Sequence, residues 1–398
     1  MFSLLAQSRV TLICLTLCSV FTMGQTYGQF TSILNIPPDP DIGDNQSIGS
    51  NTQLNLSDGG EIGFGFAAGA FDGTNTNVEV NIIGGSVGDH FDAFSDSVVN
   101  ISGGSVGDIF QAVFDSEVNI SGGSVGQIFQ AFDGSVVNIS GGSVGAIFDA
   151  FDGSVVNISG GEVGTRFEAF EGSVVNISGG AVGDRFDALS GSVVNISGGV
   201  VDGYFQAIGD SVVNISGGVV GDEFDACSGS VVNISGGSIG DDFVASNSST
   251  VSLFGTQFVL DALDITASLT LNVPLTIIDR DVTLSGLLAN GSPFSFDLNS
   301  TVAASADYFD PGATLTVTLI LPGDFDFDGD VDGADFLMLQ QGLGTIYNAT
   351  HLAAWEANYG NPLSTTSVTV PEPATLGIVL IALVCFPLRV HRALVVQD

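Results

Sequence analysis

Nine asparagines stand 19 residues apart in this chain, at Asn81, Asn100, Asn119, Asn138, Asn157, Asn176, Asn195, Asn214 and Asn233. Each lies in a copy of S-V-V-N-I-S-G-G-x-V-G-x-x-F-x-A-F-x-G. A looser copy begins at Leu54-Asn55-Leu56, and a fading one follows at Val251-Ser252-Leu253. So strict and short a period makes each unit use its neighbours as core, because one unit has too few apolar side chains to offset its own ordering.

Within a unit the pattern is that of strands. Val99 and Ile101 share one face while Val98, Asn100 and Ser102 share the other, a period of two in β-branched residues. Gly103-Gly104 turns the chain, Val106 gives a short second strand, Gly107 bends it again, and Phe110 and Ala112 point inward from a third. The expectation is an all-β chain whose body, residues 52–253, is a parallel β-helix or β-solenoid of about ten such coils. Stacking at about 4.8 Å would align a Phe column from Phe91 to Phe243, an Ala column from Ala93 to Ala245 and a hydrogen-bonded ladder of Asn side chains.

Charge narrows the partners. The basic residues are six Arg, with no Lys, and the formal net charge is −38. Between residues 29 and 370, three Arg face 42 acids. Such a surface cannot displace counterions from phosphates, which excludes nucleic acid, and it is repelled by anionic membrane surfaces. Disorder is not implied, since 44% of residues are hydrophobic and 29 are Phe. Stacked carboxylates repel, and the solvent columns interrupt them, as in Asp108, Gln127, Ala146, Thr165 and Asp184. The spacing G-G-x-V-G-x and the period of 19 argue against calcium-binding nonapeptide repeats. The recurrent N-I-S triplet matches a glycosylation sequon but reads here as strand residue plus turn Ser. Cys227 sits in a column of Phe, Leu and Ile, as a small hydrophobe would.

The two ends read as addresses. Val10 to Phe21 is a short apolar run after Arg9, the layout of a signal peptide over residues 1–28, followed by a leader or cap over 29–51. At the other end, Pro371-Glu372-Pro373 precedes the apolar stretch Ala374 to Leu388 and the basic residues Arg389 and Arg392. This order, over residues 371–398, resembles the PEP-CTERM sorting tail of bacterial surface proteins. The resemblance implies recognition of Pro371, Glu372 and Pro373 by an exosortase-type protease, an inner-membrane helix before processing, and release to the cell surface or to an extracellular matrix of polysaccharide.

Between body and tail the repeat stops. Residues 254–322 read as a small β domain that caps the solenoid, with Arg280 as a surface charge pair between Asp279 and Asp281. Residues 323–360 then carry an acidic loop and helices, joined to the tail by a linker over 361–370. Asp324, Asp326 and Asp328 fall at loop positions 1, 3 and 5, Gly329 at 6, Asp330 at 7, Asp332 at 9 and Asp335 at 12, offsets that suit Ca²⁺. With Asp at position 12 and a following Asp-Phe-Leu-x-Leu, this resembles the dockerin type I calcium loop, here as one loop with a second helix over Thr350 to Asn358. The family's role, cohesin binding, is what that resemblance implies.

No nucleophile–base set or histidine metal cluster can be assembled from His90, His351 and the acids. Arg166 and Arg185, one coil apart beside Glu168 and Asp187, read as surface ion pairs. The expected function is therefore a non-catalytic exported surface or matrix protein, structural or adhesive and calcium-stabilised. The alternative is a carbohydrate-binding or polysaccharide-degrading β-helix.

Overall fold

A computed structural model describes residues 30–360, apart from 247, 303–305, 327, 343–346 and 348. The repeats wind into a parallel β-solenoid of about twelve turns. Along each first strand burial alternates strictly, as in Ser97–Ile101, because β-branched side chains at every second position face inward. Strands at equivalent places in successive coils pair in parallel with identical residues opposed, such as Phe129 with Phe148 and Ala131 with Ala150.

The expected three strands per coil are present in the early coils, as Ser97–Ile101, Ser105–Val106 and Phe110–Ala112. From Glu117–Val125 onward the first two merge into one nine-residue strand, for example Val136–Val144. The chain still bends inside that strand. Pairing between Val136–Val144 and Val155–Val163 shifts register on either side of Ser140, and Gly142 takes φ 75°. A second sharp corner precedes each Phe. Ile109, Ile128, Ile147, Arg166 and Arg185 all hold φ between 65° and 69° there without being Gly. The corner's backbone is used fully, since the Phe110 N–H donates to the Ile128 carbonyl at 3.0 Å.

Inside, the Phe column is continuous and fully buried from Phe91 to Phe243. Ring centroids of Phe110, Phe129, Phe148, Phe167 and Phe186 lie 4.6–4.8 Å apart with planes within 8°. Outside, the Asn ladder runs unbroken from Asn35 to Asn233, and each amide donates to the side-chain oxygen one coil nearer the N-terminus at 2.8–3.0 Å. In five coils a buried turn Ser closes the corner, as where the Ser154 hydroxyl donates to the Phe151 carbonyl at 2.6 Å, whereas the equivalent hydroxyls of Ser116, Ser211, Ser230 and Ser249 have no hydrogen-bond partner.

Both ends differ from expectation. The expected leader over 29–51 already contributes a coil, because Ser32–Ile36 pairs in parallel with Thr52–Leu56. The expected small β domain over 254–322 is not a separate unit. Strand Thr250–Leu260 crosses its boundary, turns back into an antiparallel hairpin with Thr283–Leu288 and Pro293–Asp297, and the chain then re-enters the solenoid. Tyr308–Phe309 and Thr314–Leu319 form the last coil, in parallel register with Val244–Ala245 and Thr250–Leu260, 64 positions later in the chain.

The expected inner-membrane anchor is corrected as well. Among the described residues no helix is long and apolar enough to cross a membrane, and the two α-helices, α1 (Gly333–Gly342) and α2 (Ala349–Asn358), have ten residues each. Ala374 to Leu388, Pro371, Glu372, Pro373 and the expected signal peptide over 1–28 lie outside the described residues.

Candidate functional site

The acidic loop follows the last coil and runs straight into α1. Asp332 starts that helix by accepting the Ala334 N–H at 2.6 Å, an N-cap contact. Val331, at position 8 of the loop, is fully buried. Helix α2 braces the loop from the other side. The indole N–H of Trp355 donates to the Asp332 carbonyl at 2.7 Å, Trp355 packs on Phe336 at 4.7 Å, and the Gly360 N–H donates to the Val331 carbonyl at 2.8 Å.

The six carboxylates converge in two groups. Oxygens of Asp324, Asp326 and Asp328 lie within 4.8 Å of one another, and so do those of Asp330, Asp332 and Asp335. Asp335 also binds the backbone: its Oδ1 accepts the N–H groups of Phe325 at 2.5 Å and Asp326 at 3.2 Å, and its Oδ2 accepts that of Asp332 at 2.7 Å. It therefore closes the loop through its backbone contacts while also standing in the second carboxylate group. Asp324 accepts the Gly329 N–H through Oδ2 at 3.0 Å, whereas its buried Oδ1 has no hydrogen-bond partner. A buried orphan carboxylate oxygen among two neighbouring carboxylates is costly without a cation.

The electrostatics agree. Burial, then repulsion by Asp335, pushes the Asp324 carboxyl up to about 7, and the same two causes push Asp326 up to about 6. Asp335 is raised by burial against its backbone hydrogen bonds, and Asp330 by burial and its acidic neighbours. Hard oxygen donors crowded in this way can hold a metal ion.

The other residues singled out in the sequence have structural places. Arg166 reaches Glu168 at 3.6 Å. Asp187 is raised by burial and lowered by Arg166 and Arg185. The two Arg stand where the middle column of the Phe strand runs Asp149, Glu168, Asp187; in other coils Gln relieves it, as Gln130 does by donating to Asp149 at 3.2 Å. Cys227 is half-buried, its thiol raised by burial and by Asp225. Arg280 is no simple charge pair: it donates to five main-chain carbonyls, those of Ile277, Asp279, Phe309, Asp310 and Ala313, at 3.0–3.3 Å. No protein-family model, curated protein or solved structure matches this chain.

Proposed function

We propose that the protein is a non-catalytic structural or adhesive rod of an extracellular matrix, and that one Ca²⁺ ion stabilises the loop at its C-terminal end. The unpartnered, buried Oδ1 of Asp324, on a carboxylate grouped within 4.8 Å with those of Asp326 and Asp328, carries the calcium reading. Asp324, Asp326 and Asp328 would hold the ion, with Asp330 and Asp332 close by on the same loop. The rod reading is supported by where many polar side chains go: the ladder Asn, several Gln and turn Ser such as Ser154 bind neighbouring coils or their own turns. A surface of carboxylates would keep such a rod soluble and let divalent cations bridge it to acidic polysaccharide. Trimming by a sorting protease at Pro371 to Pro373 and a dockerin-like partner role for the loop module belong to the same reading and rest on the sequence motifs alone.

Calorimetry on the whole chain tests the calcium part. One Ca²⁺ should bind per molecule, and Asp324→Ala with Asp328→Ala should abolish the heat while leaving the strand signal in circular dichroism. Unchanged binding in that double variant would place the ion elsewhere. Depolymerisation of an acidic polysaccharide by the purified chain would overturn the non-catalytic reading.

A further inference from the structure

One stretch of the rod departs from its regularity in a way the coils do not require. Two columns run down the corner after the Phe-x-Ala strand. The first holds Phe94, Val113, Phe132, Phe151 and Phe170, then Leu189, Ile208 and Cys227. The second holds Ser95, Phe114, Asp133, Asp152 and Glu171, then Ser190, Gly209 and Ser228. Strand pairing continues through both halves, so the fold accepts small and aliphatic residues where the N-terminal half places rings and carboxylates.

These rings line an open groove of about 610 Å³, with Val113 on its floor and Asp133, Asp152 and Glu171 along its lip. One wall comes from outside the repeat. Asn55 and Asn81 are 26 residues apart where the later units keep 19, and the extra loop carries Phe71. That loop is tied down: Ser50 Oγ donates to Asn75 Oδ1 at 3.1 Å, the Asn51 N–H to the Thr76 carbonyl at 3.0 Å, and Thr74 Oγ1 to Asp72 at 2.7 Å. Phe71 is thereby held 68% exposed, edge-on to Phe94 at 5.8 Å and Phe114 at 5.6 Å. Fixed, exposed aromatic rings gathered in one groove mark an interaction surface.

The chemistry of the groove selects its occupant. Phe132, Phe151 and Phe170 stack on one another at 4.8 Å with planes within 15°, so they present edges, whereas a sugar ring stacks on an open face. A second copy would bring its own lip of carboxylates against this one. A cationic partner with apolar side chains satisfies both features, because Lys and Arg lay their stems on apolar surface and carry charge to the lip. We propose that this groove docks a basic, apolar-rich polypeptide segment in extended form, its apolar side chains against the Phe row and its Lys or Arg side chains at Asp133, Asp152 and Glu171. From Phe94 to Phe170 the groove spans four coil spacings, about 19 Å, the reach of about six extended residues.

Fluorescence anisotropy with a labelled octapeptide alternating Lys and Leu, at about 0.15 M salt, tests this on the whole chain. The variants copy residues the same columns already hold. Phe132→Leu, Phe151→Leu and Phe170→Leu together should weaken binding about tenfold or more, and so should Asp133→Ser, Asp152→Ser and Glu171→Ser. Asp184→Ser, Asp202→Ser and Glu223→Ser remove the same charge elsewhere and should change affinity less than about twofold. Phe71→Ser, on the exposed loop, gives a second reading if the triple Phe variant unfolds. The proposal falls if the wild type does not bind the peptide, if the remote acid variant loses as much as the lip variant, or if the Phe variants bind normally. A neutral glucan hexasaccharide that competes with the peptide would reassign the groove to carbohydrate. A dimer in sedimentation that Phe71→Ser dissolves would reassign it to a second copy.

Discussion

Asp324 and Phe148 show the two ways a single side chain matters here. In the cation-free loop Asp324 titrates at about 7 and Asp326 at about 6, both above the ordinary carboxylate value. A carboxyl whose folded pKa is raised favours the folded loop below its unfolded pKa, near 4, and that contribution is lost as pH rises through about 6 to 7. Fluorescence of Trp355, the one Trp in the chain, should therefore show the cation-free module loosening from pH 5 to about pH 8, with Ca²⁺ restoring it. Calcium binding should release protons near neutrality, seen as a buffer-dependent heat. Phe148 stacks between Phe129 and Phe167 at 4.7 and 4.6 Å. Phe148→Asp should cost more than about 3 kcal/mol in urea unfolding, because it buries an unpaired charge. The Phe and Asn columns were legible because a 19-residue period fixes which side chains become neighbours. The backbone contacts of Asp335 were not, since spacing identifies an oxygen donor but not which N–H groups reach it.

At the scale of the element, the coil is the unit of both fold and change. Deleting one whole unit, Val137 to Val155, should leave a folded, shorter rod, since every column realigns one coil later. Inserting nine residues at the same place should unfold the coils around it, read by proteolysis and circular dichroism; equal damage from both changes would argue against independent stacking. The cap obeys a different rule. Arg280 joins Ile277 and Asp279 to the carbonyls of Phe309, Asp310 and Ala313, and so ties the hairpin region to the last coil. Arg280→Ala should destabilise the cap by about 2–3 kcal/mol and raise amide exchange in Thr250–Leu260 and Thr314–Leu319 while coils near Phe148 stay protected. The sequence could not reveal this latch, because its partners lie some thirty residues onward with no periodicity to align them. The merging of the first two strands was hidden for a related reason: Gly-Gly signals a bend, but bent strands can keep pairing across a bulge.

For the whole molecule, the rod was foreseeable and its two ends were not. Ser32–Ile36 keeps the S-x-x-N-I of the repeat but is followed by Pro37-Pro38-Asp39 in place of Ser-Gly-Gly, and the last coil has lost the consensus altogether, so pattern matching stops one coil short at either end. That final coil also sets a clock. A chain made from its N-terminus can lay each coil on the one before as it appears, with only local waiting. At Thr250–Gly255 this stops being possible, because the strand that pairs with it in parallel arrives 64 residues later. For that interval the growing rod carries an open row of N–H and C=O groups, the template on which another unfinished rod can add. A chain ended after Leu260 would be held in that state permanently and should assemble end to end in light scattering, while the full chain remains discrete. The delay between those two strands is thus the period in which synthesis of this protein competes with its own aggregation.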